Sequence, residues 1–405
     1  MTERIDRRGE GAQPLREPAL PNVQARTGDH SPAPEPIPRS CKTRKNNHSH
    51  HDHGGHRQHR GNGHGGQPVY GALDLGTNNC RLLVARASRR GFQVIDAFSR
   101  IIRLGEGVSQ TGRLSEAAIE RTIDALKVCS EKMERRNVRR ARLIATEACR
   151  VAENGEEFVL RAQEETGLRI EVINRETEAR LAVAGCASLL DRNCDWALVF
   201  DIGGGSTELI WVDLTRLGST KMASLGERAR IQGAIAAWTS MPVGVVTLAE
   251  RFGGRLVDEA VFEAMVADVL AKLDAFESRH RFARHVALDR AHLLGTSGTV
   301  TTIAGVHLKL PSYNRSRVDG CWLSGDEARL VSNELLGYSY QQRASQPCIG
   351  PDRADLVLAG CAILEAIMRL WPCRRLRVAD RGLREGILTS LIAEDSNRQR
   401  NGRRG

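Results

Sequence analysis

The sequence predicts an α/β fold built from two similar halves, and two observations carry that prediction: a strand–carboxylate–glycine turn–strand unit occurs twice, and strand and helix patterns alternate behind the first copy. In the first copy the apolar run Val69-Tyr70-Gly71-Ala72-Leu73 ends at Asp74. Leu75-Gly76-Thr77-Asn78-Asn79 follows, and Leu82-Leu83-Val84 resumes the apolar pattern. In the second copy Trp196-Ala197-Leu198-Val199-Phe200 ends at Asp201, then come Gly203, Gly204 and Gly205, and Leu209-Ile210-Trp211-Val212 resumes it. The two aspartates stand 127 residues apart (201 − 74). Repetition of a supersecondary unit at that distance points to duplication, each half offering one hairpin.

Taken in order, the first half opens as an antiparallel meander, because Gly91-Phe92 reads as a turn into a third strand over 93–98. Ser115 is placed to cap a helix in which Ala118, Ile119, Ile123, Leu126 and Met133 recur at helical spacing. A buried strand over 141–145, a helix over 158–166 and a strand over 170–173 complete this half. In the second half the hairpin at Asp201 is followed by a helical stretch around 231–238, a turn at 240–244 and a charged amphipathic stretch over 256–276. A strand over 291–294 runs into a helix over 300–306. A helix over 353–369, a strand over 376–379 and a helix over 383–392 end the pattern, the last returning to the first half.

Charge narrows the partners. The chain carries a net charge of +10, but residues 1–68 hold 11 Lys/Arg against 7 Asp/Glu and residues 396–405 hold four Arg, which leaves +2 for the body. No specific nucleic-acid partner is expected from so balanced a body. Apolar runs fall short of the roughly 20 residues that span a bilayer, and no apolar signal core opens the chain, so a cytoplasmic, membrane-free protein is expected. The ten cysteines include no C-x-x-C pair, a pattern of reduced thiols. Residues 1–68 hold eight of the 13 prolines and eight of the 12 histidines, and 1–67 reads as a disordered tail with either no specific ligand or loose affinity for divalent metal. A basic tail is expected at 396–405.

The hairpin turns carry the candidate chemistry. Glycines permit positive φ or close approach to a ligand, and consecutive N–H groups in such a turn form an anion-binding concavity. A carboxylate at the strand end beside that concavity points to hydrated Mg²⁺ with phosphate; the alternative is a plain hairpin with a solvated Asp. Gly295-Thr296-Ser297-Gly298-Thr299, between a strand and a helix, is a second kind of anion loop resting on helix N–H groups, or else a simple strand–helix turn. Beyond the strands over 141–145 and 170–173, Arg150 and Glu178 stand where ligands gather in open α/β sheets. Read singly, they are better taken as a surface Arg and a first-turn Glu favoured by the helix dipole.

Seven segments occur in order: D-L-G-T-N at 74, A-T-E-A-C-R at 145, E-A-R-L at 178, D-I-G-G-G-S-T-E at 201, S-M-P-V-G at 240, G-T-S-G-T at 295 and G-L-R-E-G at 382. Together they resemble the exopolyphosphatase/guanosine pentaphosphate phosphatase family, a branch of the actin–sugar-kinase ATPase superfamily, over residues 69–392. The resemblance implies two ribonuclease-H-like domains, 68–181 and 182–379, flanking a cleft, with the helix at about 380–395 packed back on the first. It implies Glu178 as general base and Arg150 as phosphate ligand. Asp74 and Asp201 would hold Mg²⁺, with Glu208 orienting the ion or the water. Gly76, Thr77, Asn78, Gly203, Gly204, Gly205, Ser206, Gly298 and Thr299 would cradle phosphate. Thr77 stands where the family commonly has Ser, which keeps the hydroxyl. No histidine follows His307, so a short form without the C-terminal His-Asp phosphohydrolase-like domain is expected.

The activity so implied is Mg²⁺-dependent release of the terminal phosphate of polyphosphate, or of guanosine pentaphosphate, by a protein expected as a homodimer. Two other readings stay open: an ATP-dependent kinase or ATPase of the same superfamily, and a non-catalytic polyphosphate sensor.

Overall fold

In the computed structural model residues 67–88, 91–217 and 231–401 are described. The Pro/His-rich segment through residue 66 and residues 402–405 lie outside the described residues.

Each aspartate closes the most apolar strand of its half. In β1 (Val69–Leu75) every residue but Asp74 is buried, and β6 (Trp196–Ile202) runs buried from Ala197 to Phe200 and again at Ile202, interrupted only by Asp201. Such near-continuous apolar runs suit central strands covered on both faces. Around β1 are laid β2 (Asn79–Ser88) and β3 (Gly91–Ile101), antiparallel, and β4 (Arg140–Ala145) and β5 (Glu171–Val172), parallel, in the order β3-β2-β1-β4-β5. The second sheet adds β7 (Thr207–Asp213), β8 (Ile235–Met241), β9 (Ala291–Thr296), β10 (Trp322–Ser324) and β11 (Arg375–Ala379), in the order β10-β11-β9-β6-β7-β8. Read from β8 to β11, it repeats the first sheet's meander-then-parallel pattern, and β10 is an antiparallel addition at the edge.

Five helices accompany the first sheet: α1 (Val108–Thr111), α2 (Glu116–Arg135), α3 (Glu147–Val151), α4 (Gly155–Thr166) and α5 (Arg175–Cys186). Ser115 accepts from the Ala118 N–H, as its position before the apolar stripe predicts. Nine more follow: α6 (Val245–Phe252), α7 (Glu259–His280), α8 (Ala283–Ala287), α9 (Gly298–His307), α10 (Arg315–Val318), α11 (Gly325–Gly337), α12 (Tyr340–Ser345), α13 (Val357–Leu370) and α14 (Leu383–Asn401). Helices α2 and α4 pack on one face of the first sheet, and α14 covers the other through Leu383, Ile387, Leu388 and Leu391. Helix α5 serves both halves, with Leu181 and Ala182 against the first sheet and Ala179 and Val183 against the second. The expected boundary between residues 181 and 182 therefore falls inside a helix. It crosses α14 at backbone contact: a Cβ on Gly185 would lie 1.9 Å from the Gly382 carbonyl oxygen, and one on Gly386 2.1 Å from that of Leu181.

Some sequence expectations give way. The stretch around 231–238 is a 3₁₀ turn at Ile231–Ala234 followed by β8; its alanines favour helix, but pairing with β7 outweighs that propensity. The strand over 170–173 shrinks to two exposed edge residues. The helix expected from 353 starts at Val357, and the last one continues to Asn401, into the stretch expected as a tail. Helices α11 and α12 and strand β10 were not anticipated. The nine described cysteines are free, and no helix among the described residues is long and apolar enough to cross a membrane.

Candidate active site

The two hairpin turns are built alike. Gly76 N–H donates to the Asn79 carbonyl at 2.9 Å, and Gly203 N–H to that of Ser206 at 2.9 Å, so each closes a four-residue loop at the same register. Across the ladder Asp74 faces Arg81, whereas Asp201 faces Glu208. The loops meet: a Cβ on Gly204 would stand 2.9 Å from Thr77 Cβ, and one on Gly205 2.7 Å from Thr77 Oγ1. None of Gly76, Gly203, Gly204 and Gly205 has positive φ. At Gly204 and Gly205 close approach of one loop to the other, rather than an unusual dihedral, requires glycine, whereas a Cβ on Gly76 or Gly203 would meet its own loop.

A cleft of about 580 Å³ opens between the loops, and it gathers most of the sequence-predicted residues: Asp74, Gly76, Thr77, Asn78, Glu178, Asp201, Gly203, Gly204, Gly205, Ser206, Glu208 and Gly298 all line it. Two behave otherwise. Thr299 lines a smaller adjoining cavity, its hydroxyl turned toward Gly360 of α13. Arg150 is held behind the wall, donating from Nη2 to Glu178 Oε2 at 2.9 Å, from Nε and Nη2 to Glu147 Oε2 at 3.0 and 2.6 Å, and from Nη1 to the Ile173 carbonyl at 2.5 Å. Glu147, buried and also bound by Arg175 at 2.6 Å, was not singled out from the sequence although it sits inside A-T-E-A-C-R. Ser297, just before α9, takes φ 81° and ψ −172°, a conformation close to glycine-only space that persists where surroundings enforce it. Its strain leaves the first N–H groups of α9, which has no side-chain cap, facing the cleft.

Burial shapes the electrostatics of the cleft. Burial, then the charge of Asp74, pushes Asp201 up to about 6. Burial, then Asp201, pushes Glu208 up to about 7, although the Ser206 and Ser240 hydroxyls both donate to its Oε1 at 2.8 Å. Glu178 is raised well above the ordinary carboxyl value by burial and then by Glu208, against the lowering pull of Arg150. Asp74 is raised by burial and lowered by Arg81 and Arg384. Four crowded carboxylates favour a cation among them.

The donor set suits a hard, largely hydrated ion. It is all oxygen, and the buried Oδ1 atoms of Asn78 and Asn79 have no hydrogen-bond partner. Among the described residues no cluster of three His, Cys, Asp or Glu forms a ready cage, so an ion held by Asp74 and Asp201 would complete its shell with water and ligand oxygens.

The cleft also has a cationic lining that went unread in the sequence. Arg81, Arg315, Arg353, Arg381 and Arg384 supply it, Arg81 directly across the ladder from Asp74. Arg315 and Arg381 are paired with Glu385 and Asp319. Among the described residues the guanidinium groups of Arg81, Arg353 and Arg384 have no hydrogen-bond or salt-bridge partner. Burial lowers the guanidinium pKa of Arg353 and of Arg384, and the positive charge of Arg81 adds to both. Unpaired, partly buried guanidinium groups are costly unless an anion joins them.

Fold and site thus define an α/β protein of two similar halves whose duplicated hairpins clasp a cleft lined by both carboxylates and arginines. The chain belongs to the Ppx/GppA phosphatase family, whose family model matches residues 83–395. It is 29% identical over 334 residues to an exopolyphosphatase 2 of Mycobacterium tuberculosis, covering 79% of this chain and 97% of that one. It is 28% identical over 328 residues to a guanosine-5'-triphosphate,3'-diphosphate pyrophosphatase of Aliivibrio fischeri, covering 81% of this chain and 60% of that longer one. Among solved structures, the Aquifex aeolicus member of the Ppx/GppA family superposes with a TM-score of 0.63 at 28% identity, covering 81% of this chain and 98% of that one.

Proposed function

We propose that this protein releases the terminal phosphate of inorganic polyphosphate by in-line attack of water activated by Glu178. The observation that carries the proposal is one cleft lined both by four crowded carboxylates and by three arginines whose guanidinium groups are unpaired. A chain of phosphoanhydrides needs both: chemistry at its tip and cations along its length.

Phosphoryl transfer is catalysed chiefly by positioning and charge stabilisation. The loops at Gly76–Asn78 and Gly203–Ser206 and the first N–H groups of α9 would bind the terminal phosphoryl oxygens, while Arg81, Arg353 and Arg384 take the phosphates behind it. Asp74 and Asp201 would hold Mg²⁺, which when bound neutralises charge on the transferring group. Glu178, its basicity raised by burial, accepts the proton of the attacking water, and the shortened polyphosphate leaves as the anion. Arg150 reads differently from the phosphate ligand that family resemblance implies: its bonds to Glu178 and Glu147 orient the base. Glu208, fixed by two serine hydroxyls, orients the water.

Guanosine pentaphosphate is the second reading, favoured by the match to the Aliivibrio fischeri pyrophosphatase; the same terminal anhydride would meet the same carboxylates. Phosphate release in Mg²⁺ from long polyphosphate and from guanosine pentaphosphate, measured side by side, ranks the two. Release from neither would leave the protein a binder, and ADP formation from ATP would make it a kinase or ATPase. Glu178→Gln is expected to bind polyphosphate and to lose about 10²–10⁴-fold in kcat, the usual worth of a general base. Near-normal kcat would remove Glu178 from that role.

A further inference from the structure

The two phosphate hairpins are each backed by a segment that does not line the cleft, and these backing segments are tied to each other. Behind the first hairpin, the N–H groups of Ile102 and Arg103 donate to the Asn78 carbonyl at 2.9 and 3.1 Å, and Gly105 N–H donates to that of Thr77 at 2.9 Å. The fit is close, since a Cβ on Gly105 would stand 2.3 Å from Thr77 Cγ2. Behind the second, the first turn of α6 donates from Val245 and Val246 to the carbonyls of Gly203 and Gly204 at 2.9 and 2.8 Å.

Two ties span these backings. Glu250, on α6, accepts from Gly107 N–H at 2.8 Å and from Ser109 Oγ at 2.5 Å, using one carboxylate oxygen for each. Arg103 donates to both carboxylate oxygens of Asp355, at 2.9 and 3.1 Å, and to the Asp352 carbonyl at 3.1 Å. The second tie ends close behind α6, since a Cβ on Gly254, two residues past its end, would lie 2.0 Å from the Asp355 carbonyl oxygen. Arg103 is held at φ 47°, a left-handed conformation that a non-glycine residue keeps when its contacts over-determine it. A bidentate guanidinium–carboxylate pair fixes direction as well as distance.

We propose that Glu250 and the Arg103–Asp355 pair are positioning residues: they set the separation of the two phosphate hairpins and so the alignment of the phosphoryl group held between them. This inference rests on the phosphohydrolase reading above. None of the three side chains lines the cleft, so their effect reaches the reacting atoms only through the loops they brace. Without the ties the hairpins drift, and loss of alignment by about 1 Å lowers turnover far more than it lowers binding.

The test combines steady-state kinetics with amide hydrogen exchange on the full chain. Glu250→Ala and Arg103→Asp are each expected to lower kcat about tenfold or more while KM moves less than about threefold. Both are expected to speed exchange in peptides covering 76–79 and 203–206 together. The double variant Arg103→Asp/Asp355→Arg, which restores the pair with its charges exchanged, should recover most of the lost kcat. Should Glu250→Ala fail to fold, Glu250→Gln, which keeps one acceptor oxygen, should show an intermediate loss. Three results would overturn the proposal: unchanged kcat and exchange, faster exchange confined to 102–109, or a double variant no better than Arg103→Asp. A wild-type protein that releases no phosphate would defeat the functional reading instead, and the exchange measurement would still decide on the ties.

Discussion

The two hairpins share strand pattern, loop length and register, yet differ in the pair each aspartate makes: Arg81 faces Asp74 where Glu208 faces Asp201. Duplication supplies two similar jaws, and on the proposed function that pair would give them different work. In the first hairpin Arg81 pulls the Asp74 carboxyl down and offers an unpaired cation to the cleft. In the second, Glu208 adds a carboxylate that raises Glu178, while Asp201 in turn raises Glu208. On the proposed function, the cation of the first jaw would bind the phosphates behind the tip and the carboxylate of the second would serve the chemistry at the tip.

Making the first jaw resemble the second is the largest way to break this division. Arg81→Glu removes a cation and adds a fifth carboxylate, and kcat/KM is expected to fall at least about a hundredfold, the size of a lost charge-assisted hydrogen bond of ~3 kcal/mol. Assays of phosphate release against polyphosphate concentration would measure it.

A smaller effect follows from the loops' contact. Gly204→Ala must displace Thr77 or the Asn78 backbone, 2.9 and 3.2 Å from the new Cβ, and is expected to destabilise by about 1–3 kcal/mol, the usual cost of overpacking. Denaturant unfolding would read this, and Gly298→Ala, which meets no heavy atom within 4 Å, is the control for added bulk.

The smallest effect is one of pH. Asp201 and Glu208 have folded-state values of about 6 and about 7, above their ordinary ones. The folded protein therefore holds protons that the unfolded chain has released. Their contribution is fully present below about pH 4 and is lost as pH rises through 6 to 7. In EDTA the thermal midpoint is expected to drop by on the order of a few degrees across that window, and Mg²⁺ should reduce the drop. A flat profile in EDTA would contradict the crowding of these carboxylates.

Much of this was legible in the sequence, for local reasons. An apolar run stopped by Asp and a glycine turn reads the same in one dimension as in three, so both hairpins and their aspartates could be placed. Glu178 and Arg150 were found as polar residues just beyond strands, but their direct bond depends on how α3 and α5 meet. The arginine lining was invisible because Arg81, Arg353 and Arg384 come from three distant segments and none breaks a local pattern. Only the last lies in a recognisable motif, G-L-R-E-G. The strand β8 was misread because alanine-rich segments favour helix until a neighbouring strand offers its edge. Glycines 204 and 205 stand out in the sequence as a phosphate cradle, but their contact with the opposite jaw is something sequence does not display.

The most direct test compares one substitution in each jaw, Arg81→Met and Glu208→Gln, on long polyphosphate in Mg²⁺. The division of labour predicts that Arg81→Met raises KM and leaves kcat within about threefold, whereas Glu208→Gln lowers kcat and leaves KM within the same margin. If both substitutions change the same parameter to a similar degree, the two hairpins do the same work and the account is wrong.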